Sequence, residues 1–200
     1  MRRLEVCGGI SSGKTTLAAL LSRLGVRPVY EDFSANPFYK DFYHDPSANA
    51  FETEITFLLQ HFHKIKMAMR RQMTFGCDFS PTLDVAYADV TLKGRQQRVF
   101  QAVYQETRKT IGSPDFLIHL KCNPVEELRR IRRRRRTAER SITTDYLTAL
   151  NAALARRLTR QSAHTEIIEI DSGRIDFAHD NDCQTKVLTL IQRRLRADEK

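Results

Sequence analysis

Residues 8–15 read Gly8-Gly9-Ile10-Ser11-Ser12-Gly13-Lys14-Thr15 and satisfy the pattern G-x-x-x-x-G-K-[ST] with no mismatch. The flanks suit it: 4–7 is a short apolar run of strand type, and 16–24 carries apolar residues at helical spacing. A strand, a tight glycine turn and a helix start confine the chain to an α/β architecture. Backbone N–H groups from Gly9 to Thr15 can wrap a di- or triphosphate, whose charge the helix dipole favours. Lys14 is placed to reach the β- and γ-phosphates, and Thr15 to offer its hydroxyl to Mg²⁺. The candidate phosphate site is therefore Gly8 to Thr16, with Ile10, Ser11, Ser12 and Gly13 forming its turn. The expected ligand is a nucleoside triphosphate.

Further strand-like runs lie at 28–30, 74–79, 115–120 and 166–170, with helical patterns between them. Alternating βα order predicts a five-stranded parallel sheet covered by helices on both faces. Ligands of such sheets bind beyond the carboxyl ends of the strands, which directs attention to Gly8, Glu31, Asp78, Lys121 and Asp171. Long amphipathic helices are expected over 48–73 and 95–111, serving either core packing or a dimer face, and a final helix over 183–195. The tail 196–200 is charged, and no repeat or linker interrupts a single domain over 1–200.

The net charge of +9 raises the question of nucleic acid. Seven of the eight residues 129–136 are arginine, with only Ile131 between them, so much of the excess is one local cluster. Beside a phosphate loop such a cluster is better placed to grip the polyphosphate being transferred. It also opens the one segment that reads as a mobile lid, about 132–141. No stretch of 18 apolar residues occurs, so no membrane span is expected. Met1-Arg2-Arg3 leads straight into the first strand without the pattern of a signal peptide, and a cytoplasmic protein is expected. The four cysteines agree: Cys7, Cys77 and Cys122 fall in runs read as central strands, Cys183 near the last helix, and none forms C-x-x-C.

Several separate pieces together resemble the deoxynucleoside kinases, over nearly the whole chain. Glu31 is followed by Asn36-Pro37-Phe38-Tyr39 and Asp41-Phe42-Tyr43, similar to the family stretch E…NPY…DFY. Phe51-Glu52-Thr53-Glu54 is similar to F-x-x-Q, and Asp78-Phe79-Ser80 stands where many members have Asp-Arg-Ser or Glu-Arg-Ser. Arg130-Ile131 through Arg134 and Arg136 to Glu139 looks like the lid R-I-x-x-R-x-R-x-x-E. The resemblance implies a P-loop kinase fold and transfer of the γ-phosphoryl of ATP, with Mg²⁺, to the 5′-hydroxyl of a deoxynucleoside. It implies Glu31 as general base and Arg130, Arg134 and Arg136 as transition-state stabilisers, with Arg132, Arg133 and Arg135 as added charge. It further implies Asp78 beside Thr15 at the metal, Tyr43 and Glu139 on the 3′-hydroxyl, and Asp176-Phe177 at the adenine of ATP. Glu54 and Asp84 are implied at the base. As carboxylates they accept and do not donate, which favours the amino groups of adenine, guanine or cytosine over thymine O4. A homodimer through the long helices is the family expectation.

Phe79 departs from the pattern, since the family arginine there helps bind the 5′-oxygen and orient the catalytic acid. His61 and Lys64 stand near the slot of another site arginine. Three explanations stay open: lid arginines or Lys121 substitute; an aromatic after the acid is usual in one branch; or the acceptor differs. Two other functions remain, a nucleotide kinase of thymidylate-kinase type, and an ATP-binding switch whose basic segment docks on nucleic acid.

Overall fold

The computed structural model describes residues 1–163 and 165–197; residues 198–200 of the charged tail lie outside them. Among the described residues one five-stranded sheet forms from β1 (Arg3–Gly8), β2 (Arg27–Val29), β3 (Phe75–Cys77), β4 (Phe116–Lys121) and β5 (Glu166–Asp171). All pairings are parallel and the order is β2-β3-β1-β4-β5, so β1 is central. Leu4 lies in register with Gly76 on one side and Phe116 on the other. The phosphate loop thus leaves the middle of the sheet, at the crevice where parallel α/β sheets bind ligands.

Strand alternation divides the core. Leu4, Val6, Phe116, Ile118 and Ile170 pack with helices α1 (Lys14–Leu21) and α8 (Asn181–Ala197) through Leu17, Leu21, Val187 and Ile191. On the other face Cys7 and Leu117 meet helices α4 (Pro81–Thr91), α6 (Pro124–Arg134) and α7 (Thr144–Gln161) through Leu83, Ile131, Leu147 and Leu150. The short α2 (Tyr39–His44) and the long α3 (Pro46–Met69) and α5 (Gly94–Ile111) form a third cluster with α4, around Phe42, Leu58, Val85 and Phe100. Burial of these side chains contributes about 1.5–3 kcal/mol each. None of the described helices is long and apolar enough to cross a membrane.

Several sequence boundaries shift for identifiable reasons. The helix expected over 48–73 begins at Pro46, because Asp45 accepts hydrogen bonds from Ser47 and Ala48 N–H as its cap. It stops at Met69, and Gln72 turns the chain at φ 50°. The first helix ends at Leu21 and continues as a 3-10 turn, Ser22–Leu24. The third strand is shorter than 74–79: Asp78 and Phe79 fall past its end, where Ser80 caps α4 and donates to the buried Glu5 (2.7 Å). Cys122 lies one residue beyond β4 and is half-buried, not in a strand. The arginine segment is part helix and part turn. Arg132 to Arg134 complete the last turn of α6, Arg135 ends it in the left-handed region (φ 55°), and a 3-10 turn, Thr137–Ser141, follows.

Candidate active site

A cavity of about 670 Å³ opens beyond the carboxyl ends of the strands. The phosphate loop forms one wall through Ile10, Ser11, Gly13, Lys14, Thr15 and Thr16, whereas Gly8, Gly9 and Ser12 are buried behind it. Gly13 caps α1 at φ 102°, and a Cβ there would stand 2.9 Å from the Phe177 ring, so only glycine suits both backbone and packing. The Lys14 ammonium donates to the loop's own carbonyls, Gly8 O at 3.0 Å and Gly9 O at 2.9 Å. Burial lowers its pKa, and Glu31, Glu127 and Asp78 oppose that shift.

Behind Gly9 lies Glu127, a buried carboxylate that no sequence motif singles out. Its Oε2 accepts from Asn151 (3.1 Å), while Oε1 has no hydrogen-bond partner among the described residues. A Cβ at Gly9 would lie 1.9 Å from that Oε1 and 2.6 Å from Asn151 Oδ1. Burial pushes the Glu127 carboxyl up to about 7. Gly9→Ala is accordingly expected to destabilise the protein by about 1–3 kcal/mol through overpacking. Adding Glu127→Ala should relieve most of the loss. Thermal denaturation of both variants checks this, and a Gly9→Ala protein as stable as wild type would refute it.

Asp78 ties Thr15 of the phosphate loop to Glu31. Its Oδ2 accepts from the Thr15 hydroxyl at 2.7 Å and its Oδ1 from the Glu31 N–H at 2.6 Å. Burial raises the Asp78 carboxyl, and those two hydrogen bonds oppose the rise. Two hard oxygens at the cavity wall, one on a carboxylate whose charge burial disfavours, fit Mg²⁺. No group of three His, Cys, Asp or Glu side chains placed to hold a metal ion occurs among the described residues.

Glu31, His61, Asp84, Glu54 and Tyr43 also line the cavity. Asp84 does not face it with free oxygens, because His61 Nδ1 approaches both at 3.0 and 2.9 Å. Glu54 is buried, and burial pushes its carboxyl to about 8. The acceptor-only reading of these two acids does not carry over: Asp84 is engaged by His61, and burial favours the protonated form of Glu54, which donates as well as accepts. Its Oε1 lies 3.1 Å from the Thr91 hydroxyl, itself 2.9 Å from Tyr87 O.

The buried Glu139 gathers two arginines. Arg134 binds it with two parallel hydrogen bonds (2.7 and 2.5 Å), and Arg136 NH1 stands 3.5 Å away. The tyrosine that donates to Glu139 is Tyr39 (3.2 Å), whereas Tyr43 packs edge-on against Tyr39 and accepts from Ser141 through its carbonyl (2.9 Å). Tyr39 stood in the quoted Asn-Pro-Phe-Tyr stretch, so its signal was present. Arg130 is held by Glu126 and Ser172 O, both at 2.7 Å. Arg133 also lines the cavity; Lys121 does not, and pairs with Glu169 at 3.5 Å. Asp176 and Phe177 also line the cavity, Phe177 beside Gly13, with Asp176 Oδ1 accepting from the N–H groups of Ala178 and His179.

A phosphate loop in the middle of a parallel sheet, an arginine-bearing helix across the cavity and a strand-end carboxylate facing the loop define a P-loop phosphotransferase. The deoxynucleoside kinase family model matches residues 4–196. The chain belongs to the deoxynucleoside kinase family, whose members are phosphotransferases acting on a hydroxyl group. It is 26% identical over 182 residues to the deoxyguanosine kinase of Bacillus subtilis (strain 168), covering 87% of this chain and 88% of that one. It is 28% identical over 174 residues to the deoxyadenosine kinase of Dictyostelium discoideum, covering 84% and 71%. Deoxyadenosine kinase from M. mycoides with bound dCTP shares the fold with a TM-score of 0.81 at 19% identity, over 98% of this chain and 99% of that one.

Proposed function

We propose that this protein transfers the γ-phosphoryl of ATP to the 5′-hydroxyl of a deoxynucleoside. The observation that carries the reading is the presence of Glu31, Lys14 and Thr15 in one cavity, with Glu31 hung by its backbone on the carboxylate that holds Thr15. Thr15 and Asp78 would hold Mg²⁺, which when bound neutralises charge on the polyphosphate. Lys14 exchanges its carbonyl partners for phosphate oxygens. Arg130, Arg134 and Arg136 stabilise charge that develops on the transferred group. Glu31 takes the proton of the acceptor hydroxyl as the O–P bond forms. Glu139, with Tyr39 beside it and Tyr43 packed behind, suits a sugar hydroxyl, and Glu54 suits the base. Asp176 and Phe177 border the space for the donor's adenine.

The arginines of the lid support this reading over a polynucleotide partner, because Arg129 and Arg130 are paired with Glu126 and Arg134 with Glu139 at the cavity. Exposed Leu59 and Met67 on α3 and Val99 on α5 support a homodimer through the long helices. Four unpaired cysteines are consistent with a reducing, cytoplasmic setting.

The test is transfer from labelled ATP with Mg²⁺ to each deoxynucleoside, each monophosphate and each ribonucleoside separately. The expected product is the 5′-monophosphate of one or two of the deoxynucleosides. Binding of ATP with no transfer to any deoxynucleoside would overturn the proposal, and transfer to a monophosphate instead would identify a nucleotide kinase.

A further inference from the structure

His61 sits on α3 with its side chain 3% exposed, between two acids from distant parts of the chain. Its Nε2 lies 3.1 Å from Glu31 Oε1 and its Nδ1 2.9 Å from Asp84 Oδ2. A neutral imidazole carries one N–H, so one of these contacts would set a nitrogen lone pair against a carboxylate. The imidazolium donates to both. Burial opposes that charge, but attraction and hydrogen bonding to Asp84 and Glu31 outweigh it and push the group to about 10. Glu54 and Glu5 are the other acids close enough to act on this imidazole, and burial raises both carboxyls.

The ring is also fixed in its plane. It lies flat on Phe79, centroids 4.1 Å apart and planes 11° apart. Phe57, one helical turn earlier, runs nearly parallel at 5.9 Å and 28°. A cation over an aromatic face is attracted by the ring quadrupole. With the plane set by Phe79 and Nδ1 held by Asp84, Nε2 can point only along the line to Glu31. Glu31 is pinned from its other end as well, by its N–H on Asp78 (2.6 Å) and by Lys64 Nζ on Tyr30 O (2.6 Å). With Oε1 engaged by His61, Oε2 is the oxygen left for the acceptor hydroxyl.

We propose that His61, held flat by Phe79 and anchored by Asp84, is the positioning residue that aims the Glu31 carboxylate. Phe79 then has a duty of its own, as the platform for a cation that serves the neighbouring base. The inference rests on the transfer reading above for its consequence in catalysis, and on geometry alone for the contact.

The contact is tested on the whole chain labelled with ¹⁵N-histidine at pH 8, with His61 identified by its disappearance in His61→Gln. Both ring nitrogens of His61 should carry protons, and Glu31→Gln should move the Nε2 resonance more than the Nδ1 resonance. A singly protonated His61, or one blind to Glu31→Gln, overturns the proposal whether or not the protein phosphorylates anything. In the kinetic arm His61→Gln should lower kcat on the order of 10²-fold, the cost of a misplaced catalytic group, with KM for ATP little changed. Phe79→Leu keeps apolar bulk but removes the ring; it should lower kcat about 10-fold in the wild type and add little in the His61→Gln background. Additive losses, or an unchanged kcat in a folded His61→Gln protein, would overturn the proposal. A wild type that phosphorylates no deoxynucleoside would sink the transfer reading alone, since the ring-nitrogen spectra decide the contact by themselves.

Discussion

Replacing Lys14 with alanine is expected to lower kcat/KM by about 10³-fold, the scale of losing a preorganised cation from a phosphoryl-transfer site. Lys14 is the ammonium of the phosphate loop, and burial disfavours its charge while the cavity is without phosphate. Its three donors are spent partly on Gly8 O and Gly9 O, which are weaker partners than phosphate oxygens. Phosphate binding therefore exchanges two neutral acceptors for charged ones and relieves an unfavourable buried charge. The variant forfeits that gain in both the bound state and the transition state, so ATP affinity and kcat should both fall. Stability should change little: two hydrogen bonds of about 1 kcal/mol each are lost, and the desolvated ammonium goes with them. Calorimetric titration with ATP, steady-state kinetics and a thermal melt check the three parts. A Lys14→Ala protein that keeps even a tenth of wild-type activity would remove the loop from the chemistry.

Glu31→Gln is expected to reduce kcat by about 10²–10³-fold, the usual worth of a positioned general base, while KM for ATP stays within about twofold. The substitution is close to isosteric. The backbone N–H that Asp78 accepts is untouched, and an amide oxygen can still accept from His61 Nε2–H. What goes is the charge and the basicity, so a loss confined to kcat reports proton transfer and not a collapsed site. Equal losses in kcat and in ATP affinity would instead make Glu31 a binding residue. Full activity in the variant would exclude it from the mechanism, and another group would have to accept the proton.

The elements that the sequence announced are those whose signal is local. The β1–loop–α1 unit is legible because its glycines, its Lys-Thr pair and the apolar spacing on both sides lie within about two dozen residues. The five strands follow from apolar runs, and their parallel order from the helical stretches between them. The family pieces in the sequence point to Glu31, Asp78, Glu139 and the arginine segment as one site, and one cavity contains residues from each. Boundaries moved where a single residue ended an element: Asp45 capping α3, Gln72 turning out of it, Arg135 closing α6 in the left-handed region.

The partners of the side chains were decided only by the tertiary structure. Glu31, His61 and Asp84 stand 30 and 23 positions apart, on a strand end and two helices, and no spacing rule links them. The phenylalanine at 79 reads in the chain as a missing arginine; in the fold it is a platform under His61. The seven arginines read as one cluster. Packing of Ile131 into the core turns α6 so that Arg129, Arg130, Arg133 and Arg134 line the cavity; Arg136 lines it from beyond the helix, while Lys121 pairs with Glu169. Glu127 showed no signal, since a carboxylate behind a glycine becomes significant only when α6 is laid against the loop. Backbone form follows from period, caps and turn residues, which are short-range properties of the chain. Which charge meets which depends on how helices pack across a sheet, and that is set by the whole buried surface at once.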